Sequence, residues 1–294
     1  MTNVFGPNIL KYTRKVTDRY VNNFMRTSLR LMRFYSSVPT NSQPSKKVTI
    51  TTIQNLYKNN EPITVLTAHD YPSGLFVEKT GIEICLVGDS LGMVALGRQS
   101  INQTTIEEML HHCRAVSRGA KTPFLVCDMP FGSYEISPKD ALRNAIRFIK
   151  EGNMEAIKLE GGTEMAKTIQ QITSIGIPVL GHIGLTPQRQ SSLGGFRVQG
   201  KTAKKAIKLL DDAKALQQAG CFAIVMEAIP GPVAAYITEQ IQIPTIGIGA
   251  GSGTTLMTYR EEVKSRTFPD EEYSYTISDD ELKTFFDIMK KEQE

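Results

Sequence analysis

The chain has 294 residues, 40% hydrophobic and 22% charged, enough for one large α/β domain that buries its core without disulfide staples. Formal net charge is +4, but residues 1–35 carry Lys11, Arg14, Lys15, Arg19, Arg26, Arg30 and Arg33 against Asp18 alone, so that segment is +6 and the remainder −2. An acidic remainder argues against a nucleic-acid-binding domain, and no apolar run reaches the roughly 20 residues of a bilayer span.

The basic, acid-poor segment ends in Arg33-Phe34-Tyr35-Ser36-Ser37. It has the composition of a mitochondrial presequence cleaved before Ser36, which predicts a matrix protein. Residues 1–46 are therefore expected to be presequence and linker, 47–275 a catalytic barrel, and 276–294 a charged helical tail.

From residue 47 the pattern becomes regular. Thr51 or Thr52 is placed to cap a short helix over 53–59. Short apolar runs follow at 65–68, 85–88, 124–127, 156–159, 179–181, 223–226 and 245–248. They are nearly continuous in apolar character, as strands covered on both faces are. Between them, 106–118, 139–150, 164–174, 203–219 and 232–240 have helical spacing, and Gly220 is a natural stop after the fourth. Alternation of this kind predicts parallel βαβ units in one domain, a TIM-type (β/α)8 barrel with seven strands evident where eight are needed. After Gly251 the chain turns polar, with 254–259 as a weak strand and a helix over 279–290. Cys85, Cys113, Cys127 and Cys221 have no metal spacing and read as buried reduced thiols.

The chemistry lies in what ends each run. In order these are His69-Asp70, Asp89-Ser90, Asp128, Lys158 with Glu160, His182, and Glu227. A single Asp after a strand is usually a helix cap or turn residue. Six ionisable ends in succession are hard to explain as caps, and in a parallel barrel they converge on one mouth. Asp89, Asp128 and Glu160 are hard oxygen donors without a nearby His or Cys partner, which suits Mg²⁺. Lys158 lies two residues from Glu160, so both point to one side of the strand, where the lysine can hold a substrate carboxylate or balance the acids. Glu227 can act as a base. A carboxylate base facing a metal-polarised 2-oxo acid is a device for making an enolate.

The runs also carry LVGDSLGM (86–93), CDMPF (127–131), IKLEGG (157–162), GHIGLTPQ (181–188), GGFRVQGKT (194–202), VMEAIP (225–230) and IPTIGIGAG (243–251). In this order they resemble the ketopantoate hydroxymethyltransferase family over about residues 48–253, with a further fragment at 261–269. The resemblance implies Mg²⁺ on Asp89 and Asp128, with Glu160 completing the metal site through water. It implies a substrate-binding set of Asp89, Ser90, Asp128, Lys158 and His182, with Ser90 and Lys158 at the carboxylate of the 2-oxo acid. Glu227 would remove the C3 proton of 3-methyl-2-oxobutanoate, and the enolate would attack the one-carbon unit of 5,10-methylenetetrahydrofolate to give 2-dehydropantoate. It also implies a homo-oligomer, a decamer in the family, and the fungal branch.

Two other features have plainer readings. The GIGAG stretch (247–251) is a weak phosphate-cradle signal and reads as close packing at the mouth. His111-His112-Cys113 places its groups on different helix faces and reads as structural. The family pattern continues past GIGAG with a short turn and an eighth strand, whereas here 252–255 run almost directly into 259–263. Either a gene-model artefact or a truncated isoform, patched by 254–259, accounts for this. Two alternatives to the transferase follow. One is a catalytically impaired subunit of the same family. The other is a Mg²⁺-dependent lyase of the phosphoenolpyruvate-binding barrels, although their KKCGH-like loop is missing.

Overall fold

The computed structural model describes residues 46–248, 256–266 and 275–291. Residues 1–45, within the expected presequence and linker, residues 249–251 of the GIGAG stretch and the junction around Gly253 lie outside the described residues. Seven parallel strands form one sheet in sequential order: β1 (Val65–Thr67), β2 (Ile84–Val87), β3 (Phe124–Asp128), β4 (Ala156–Glu160), β5 (Val179–Gly184), β6 (Ala223–Glu227) and β7 (Thr245–Ile248). Each strand is joined to the next by a segment containing helix, the arrangement of a (β/α)8-type barrel. No eighth strand occurs among the described residues, so the sheet they form has seven strands where a closed barrel of this type has eight.

The helices are α1 (Ile50–Lys58), α2 (Tyr71–Thr80), α3 (Leu91–Val94), α4 (Ile106–Gly119), α5 (Pro138–Lys150), α6 (Ala166–Thr173), α7 (Gln190–Leu193), α8 (Ala203–Gln218), α9 (Gly231–Gln240), α10 (Leu256–Ser265) and α11 (Asp279–Lys291). None of the described helices is long and apolar enough to cross a membrane. The cap of α1 is Thr49 rather than Thr51 or Thr52: its hydroxyl accepts from Thr52 N–H, and Thr52 reciprocates in a capping box. The predicted spacing did not reveal α2, because its packing residues are small. A Cβ on Gly74 would lie 2.8 Å from the Val116 carbonyl of α4, and one on Gly119 would lie 2.6 Å from the Tyr71 carbonyl. These glycines let two helices approach closely without leaving an apolar stripe in the sequence.

Strand parity divides the core into two clusters. Ile84, Leu86, Phe124, Val126, Ala156, Leu180, Ala223 and Val225 fill the barrel interior with Ile53 of α1. Their neighbours Cys85, Val87, Leu125, Cys127, Ile157, Leu159, Ile224 and Met226 face outward into the helical layer. All four cysteines are free and buried, as expected.

Beyond β7 the structure corrects the sequence reading. Of the expected strand at 254–259, the described residues 256–259 are instead helical, as part of Leu256–Ser265. This α10 docks beside the start of the sheet. Lys264 Nζ lies 2.8 Å from Glu83 Oε1, Arg260 Nε donates to Gly81 O at 3.0 Å, and Arg266 donates to Asn60 O at 2.8 Å. Helix α11 is anchored rather than a free charged tail. Phe285 is fully buried, its ring 5.0 Å from that of Tyr236 on α9, and Glu281 accepts from Ala203 N–H at 2.6 Å.

Candidate active site

The inward-facing parity that fills the lower barrel with apolar residues carries ionisable groups at its upper end. Phe124 and Val126 are followed by Asp128, Ala156 by Lys158 and Glu160, Leu180 by His182, and Val225 by Glu227. Register sets them side by side: Asp128 pairs with Lys158, Glu160 with His182, and Gly184 with Glu227. Asp89 joins from the turn after β2, where its N–H donates to Asp128 Oδ2 at 3.0 Å.

The resulting cluster is almost entirely buried, with Glu160, His182, Asp128, Asp89 and Lys158 only 1–6% exposed. Lys158 Nζ lies 2.5 Å from Asp128 Oδ1 and 3.4 Å from His182 Nδ1. His182 Nδ1 is 3.6 Å from Glu160 Oε1, and its Nε2 is 3.2 Å from Glu227 Oε2. An ammonium group can only donate, so His182 Nδ1 accepts and its proton is assigned to Nε2, facing Glu227. Burial, reinforced by Lys158, depresses the imidazole's proton affinity and keeps the ring neutral.

The acids feel the opposite pressure. Burial first, and the neighbouring Asp128 second, push Asp89 up to about 7. Burial pushes Glu160 up to about 8, with Asp89 and Asp128 adding to it and Lys158 opposing. Lys158 is shifted upward because Asp128, Glu160 and Asp89 together outweigh its own desolvation. Four carboxyls thus meet one lysine and a neutral histidine, and the cluster is short of positive charge.

Two of the four buried side-chain atoms that lack a hydrogen bond among the described residues are Asp128 Oδ1 and His182 Nε2. The close contacts of these atoms with Lys158 and Glu227 are poorly directed, leaving both open to a further partner. Asp89 and Asp128 face each other as hard oxygen donors, and this pair fits a divalent cation completed by water and substrate oxygens. No group of three His, Cys, Asp or Glu among the described residues forms a ready metal cage.

The structure thus unites six of the seven predicted residues. Ser90 is exposed at the start of α3 and its side chain makes no capping bond, but it borders the cluster: a Cβ on Gly88 would lie 3.1 Å from Ser90 Oγ and 3.4 Å from Asp128 Oδ2. His69 and Asp70 turn out structural. Asp70 caps α2 by accepting from Ser73 N–H at 2.8 Å, and the His69 carbonyl contacts the His112 ring. His111 packs edge-on against His112, in keeping with a structural helix pair. At Gly247 an added Cβ would meet nothing within 4 Å among the described residues. Sequence reasoning missed Tyr134 and Gln188, both buried in the cluster. The signal for Gln188 was present, since it closes the GHIGLTPQ motif just past His182.

Comparison with known proteins places this arrangement. The ketopantoate hydroxymethyltransferase profile matches residues 47–257. A protein of Emericella nidulans named 3-methyl-2-oxobutanoate hydroxymethyltransferase is 49% identical over 280 residues, covering 83% of this chain and 80% of its own. One of Carboxydothermus hydrogenoformans with the same name is 47% identical over 274 residues, covering 82% and 99%. An Arabidopsis thaliana relative, whose name adds "mitochondrial", is 42% identical over 309 residues, covering 88% and 89%. These alignments run longer than the portion of this chain they cover, so the relatives hold positions with no counterpart here. Among solved structures, oxaloacetate acetylhydrolase with 3,3-difluorooxalacetate aligns with TM-score 0.54 at 14% identity, covering 84% of this chain and 86% of that one. Phosphonopyruvate hydrolase with oxalate and Mg²⁺ gives 0.54 at 11%, covering 82% and 84%. Those two share the barrel fold alone; by its profile match and its sequence relatives, this chain belongs to the ketopantoate hydroxymethyltransferase family.

Proposed function

We propose that this chain transfers a hydroxymethyl group from 5,10-methylenetetrahydrofolate to 3-methyl-2-oxobutanoate, giving 2-dehydropantoate for pantothenate biosynthesis in the mitochondrial matrix. The observation that carries this reading is a carboxylate, Glu227, about 20% exposed beside a buried cluster, with its Oε2 3.2 Å from His182 Nε2, an atom that makes no hydrogen bond among the described residues. Mg²⁺ held by Asp89 and Asp128, with Glu160 reached through water, would polarise the 2-oxo acid and offset the excess of acids.

The chain's own residues supply the rest. Lys158 and Ser90 bind the substrate carboxylate, one as a fixed buried cation and the other as an exposed hydroxyl at the mouth. His182 lends its Nε2–H to substrate positioning and stands against Glu227. Glu227 takes the proton from C3. The resulting enolate carbon bonds to the one-carbon unit, and water supplies the hydroxyl as tetrahydrofolate leaves. Burial of the cluster keeps bulk water from quenching the carbanion. Residues 1–35 serve as the matrix presequence, and the exposed Val94, Ile136 and Phe196 on loops after β2, β3 and β5 support assembly into a homo-oligomer such as a decamer.

The seven-strand sheet favours a second reading, a folded subunit without turnover of its own. Both are tested by assaying the purified chain with Mg²⁺ and both substrates beside Glu227→Gln. Turnover that falls by about 10²–10⁴ in the variant supports the transferase. A soluble, metal-binding chain with no turnover supports the subunit.

A further inference from the structure

Gln188 has no role in the reaction just described, yet it hydrogen-bonds to two acids of the cluster, Asp89 and Glu160. It sits in the turn Pro187–Arg189 that follows β5 and is 3% exposed. Its side-chain Nε2 donates to Asp89 Oδ2 at 2.8 Å and to Met129 O at 2.9 Å. Its own N–H donates to Glu160 Oε2 at 3.0 Å, and its carbonyl accepts from Asn102 Nδ2 at 2.9 Å. Its Oε1 accepts from the Tyr134 hydroxyl, which in turn accepts from Glu160 N–H at 3.3 Å.

Only one amide orientation satisfies this network. Asp89 Oδ2 and Met129 O are acceptors and need the NH₂, whereas the Tyr134 hydroxyl needs the oxygen. The phenol is itself 1% exposed, so its bond to Gln188 is not shared with bulk water. One residue after β5 therefore fixes carboxylates that come from β2 and β4, with a tyrosine locking its orientation. Because Gln188 occupies Asp89 Oδ2, the carboxyl is turned so that its other oxygen is the one left for a ligand.

We propose that Gln188, locked by Tyr134, is a positioning residue that aims the Asp89 carboxyl and steadies Glu160, and so sets the divalent-cation affinity of the site. This rests on the reading that Asp89 and Asp128 hold the cation. Outer partners of this kind change metal affinity or activity by about 10- to 100-fold when removed.

The test measures Mn²⁺ binding to the substrate-free full chain by electron paramagnetic resonance, with thermal unfolding in EDTA and kcat as a function of Mn²⁺ alongside. Gln188→Met is expected to weaken Mn²⁺ binding by about 10- to 100-fold while kcat recovers at saturating metal. Wild-type Mn²⁺ affinity in a folded Gln188→Met protein overturns the proposal, since a purely structural glutamine would lower only the unfolding temperature. Where Gln188→Met does not fold, Tyr134→Phe, which keeps the glutamine but frees its Oε1, decides the matter. Weaker Mn²⁺ binding in that variant supports the lock, and unchanged binding overturns it. Asp89→Asn is the control. If it binds Mn²⁺ as tightly as wild type, the assignment of the cation to Asp89 falls, and the proposal falls with it.

Discussion

Raising the pH of the metal-free protein from 6.5 to 8 should destabilise it, opposite to what salt-bridged carboxylates usually do. Glu160 is raised to about 8 from 4.5, and Asp89 to about 7 from 3.8, chiefly by burial. Above its ordinary value each carboxyl in the unfolded chain has lost its proton, while the folded chain still holds it. Stability therefore falls with rising pH until the folded value is passed. His182 is shifted downward from 6.5, so its effect has the other sign and fades out within about one pH unit above 6.5. Lys158 is shifted upward, and its contribution stays constant until the pH nears 10.5. In the window from 6.5 to 8 the two acids dominate, with His182 opposing them by about 0.4 kcal/mol at its lower end. One retained proton over about 1.5 pH units is worth about 2 kcal/mol, and Asp89 adds a fraction of that in its lower part. The assay is urea unfolding in EDTA at fixed protein concentration, for wild type and Glu160→Gln. The variant should show a much shallower slope, and saturating Mg²⁺ should reverse the wild-type trend, because the cation displaces those protons. A wild-type stability that is flat or rises over this window, or a Glu160→Gln slope equal to it, refutes the reasoning.

Other consequences can be measured separately. Phe285→Ala empties a fully buried site under α11 and should cost about 3–5 kcal/mol in urea unfolding, which a solvated tail would not. Lys158→Met leaves Asp128 buried without its cation, so it should lose about 3–5 kcal/mol in EDTA and raise the KM for the 2-oxo acid. Gly184 has φ +94°, and a Cβ there would strike the Glu227 carbonyl. Gly184→Ala should therefore lower both the unfolding temperature and kcat, whereas Gly176→Ala, equally left-handed but in open space, should affect only stability.

Sequence alone determined the barrel and most of its site, and the reason is periodicity. A strand buried on both faces writes itself as an apolar run, and its last inward residue is read off by counting in twos, which locates Asp128, Lys158, Glu160, His182 and Glu227. What the run cannot state is whether an acid after it faces the mouth or turns back to cap the next helix. Asp70 and Asp89 look alike in the sequence, and only tertiary packing made the first a cap for α2 and the second a partner of Asp128. Tertiary structure also decided α2, whose contact with α4 is made by glycines that leave no hydrophobic signature. It decided the fate of the C-terminal region too, where the sequence reads 254–259 as a weak strand and the described residues from 256 on are helical. Helix α10 prevails with Lys264 and Arg266 beside the start of β1, and Phe285 draws α11 into the core. Gln188 is the plainest case. The motif that Gln188 closes, four positions past the end of β5, does not state what the residue does, and its role exists only because the segments at the ends of β2, β3 and β4 bring Asp89, Met129 and Glu160 around it.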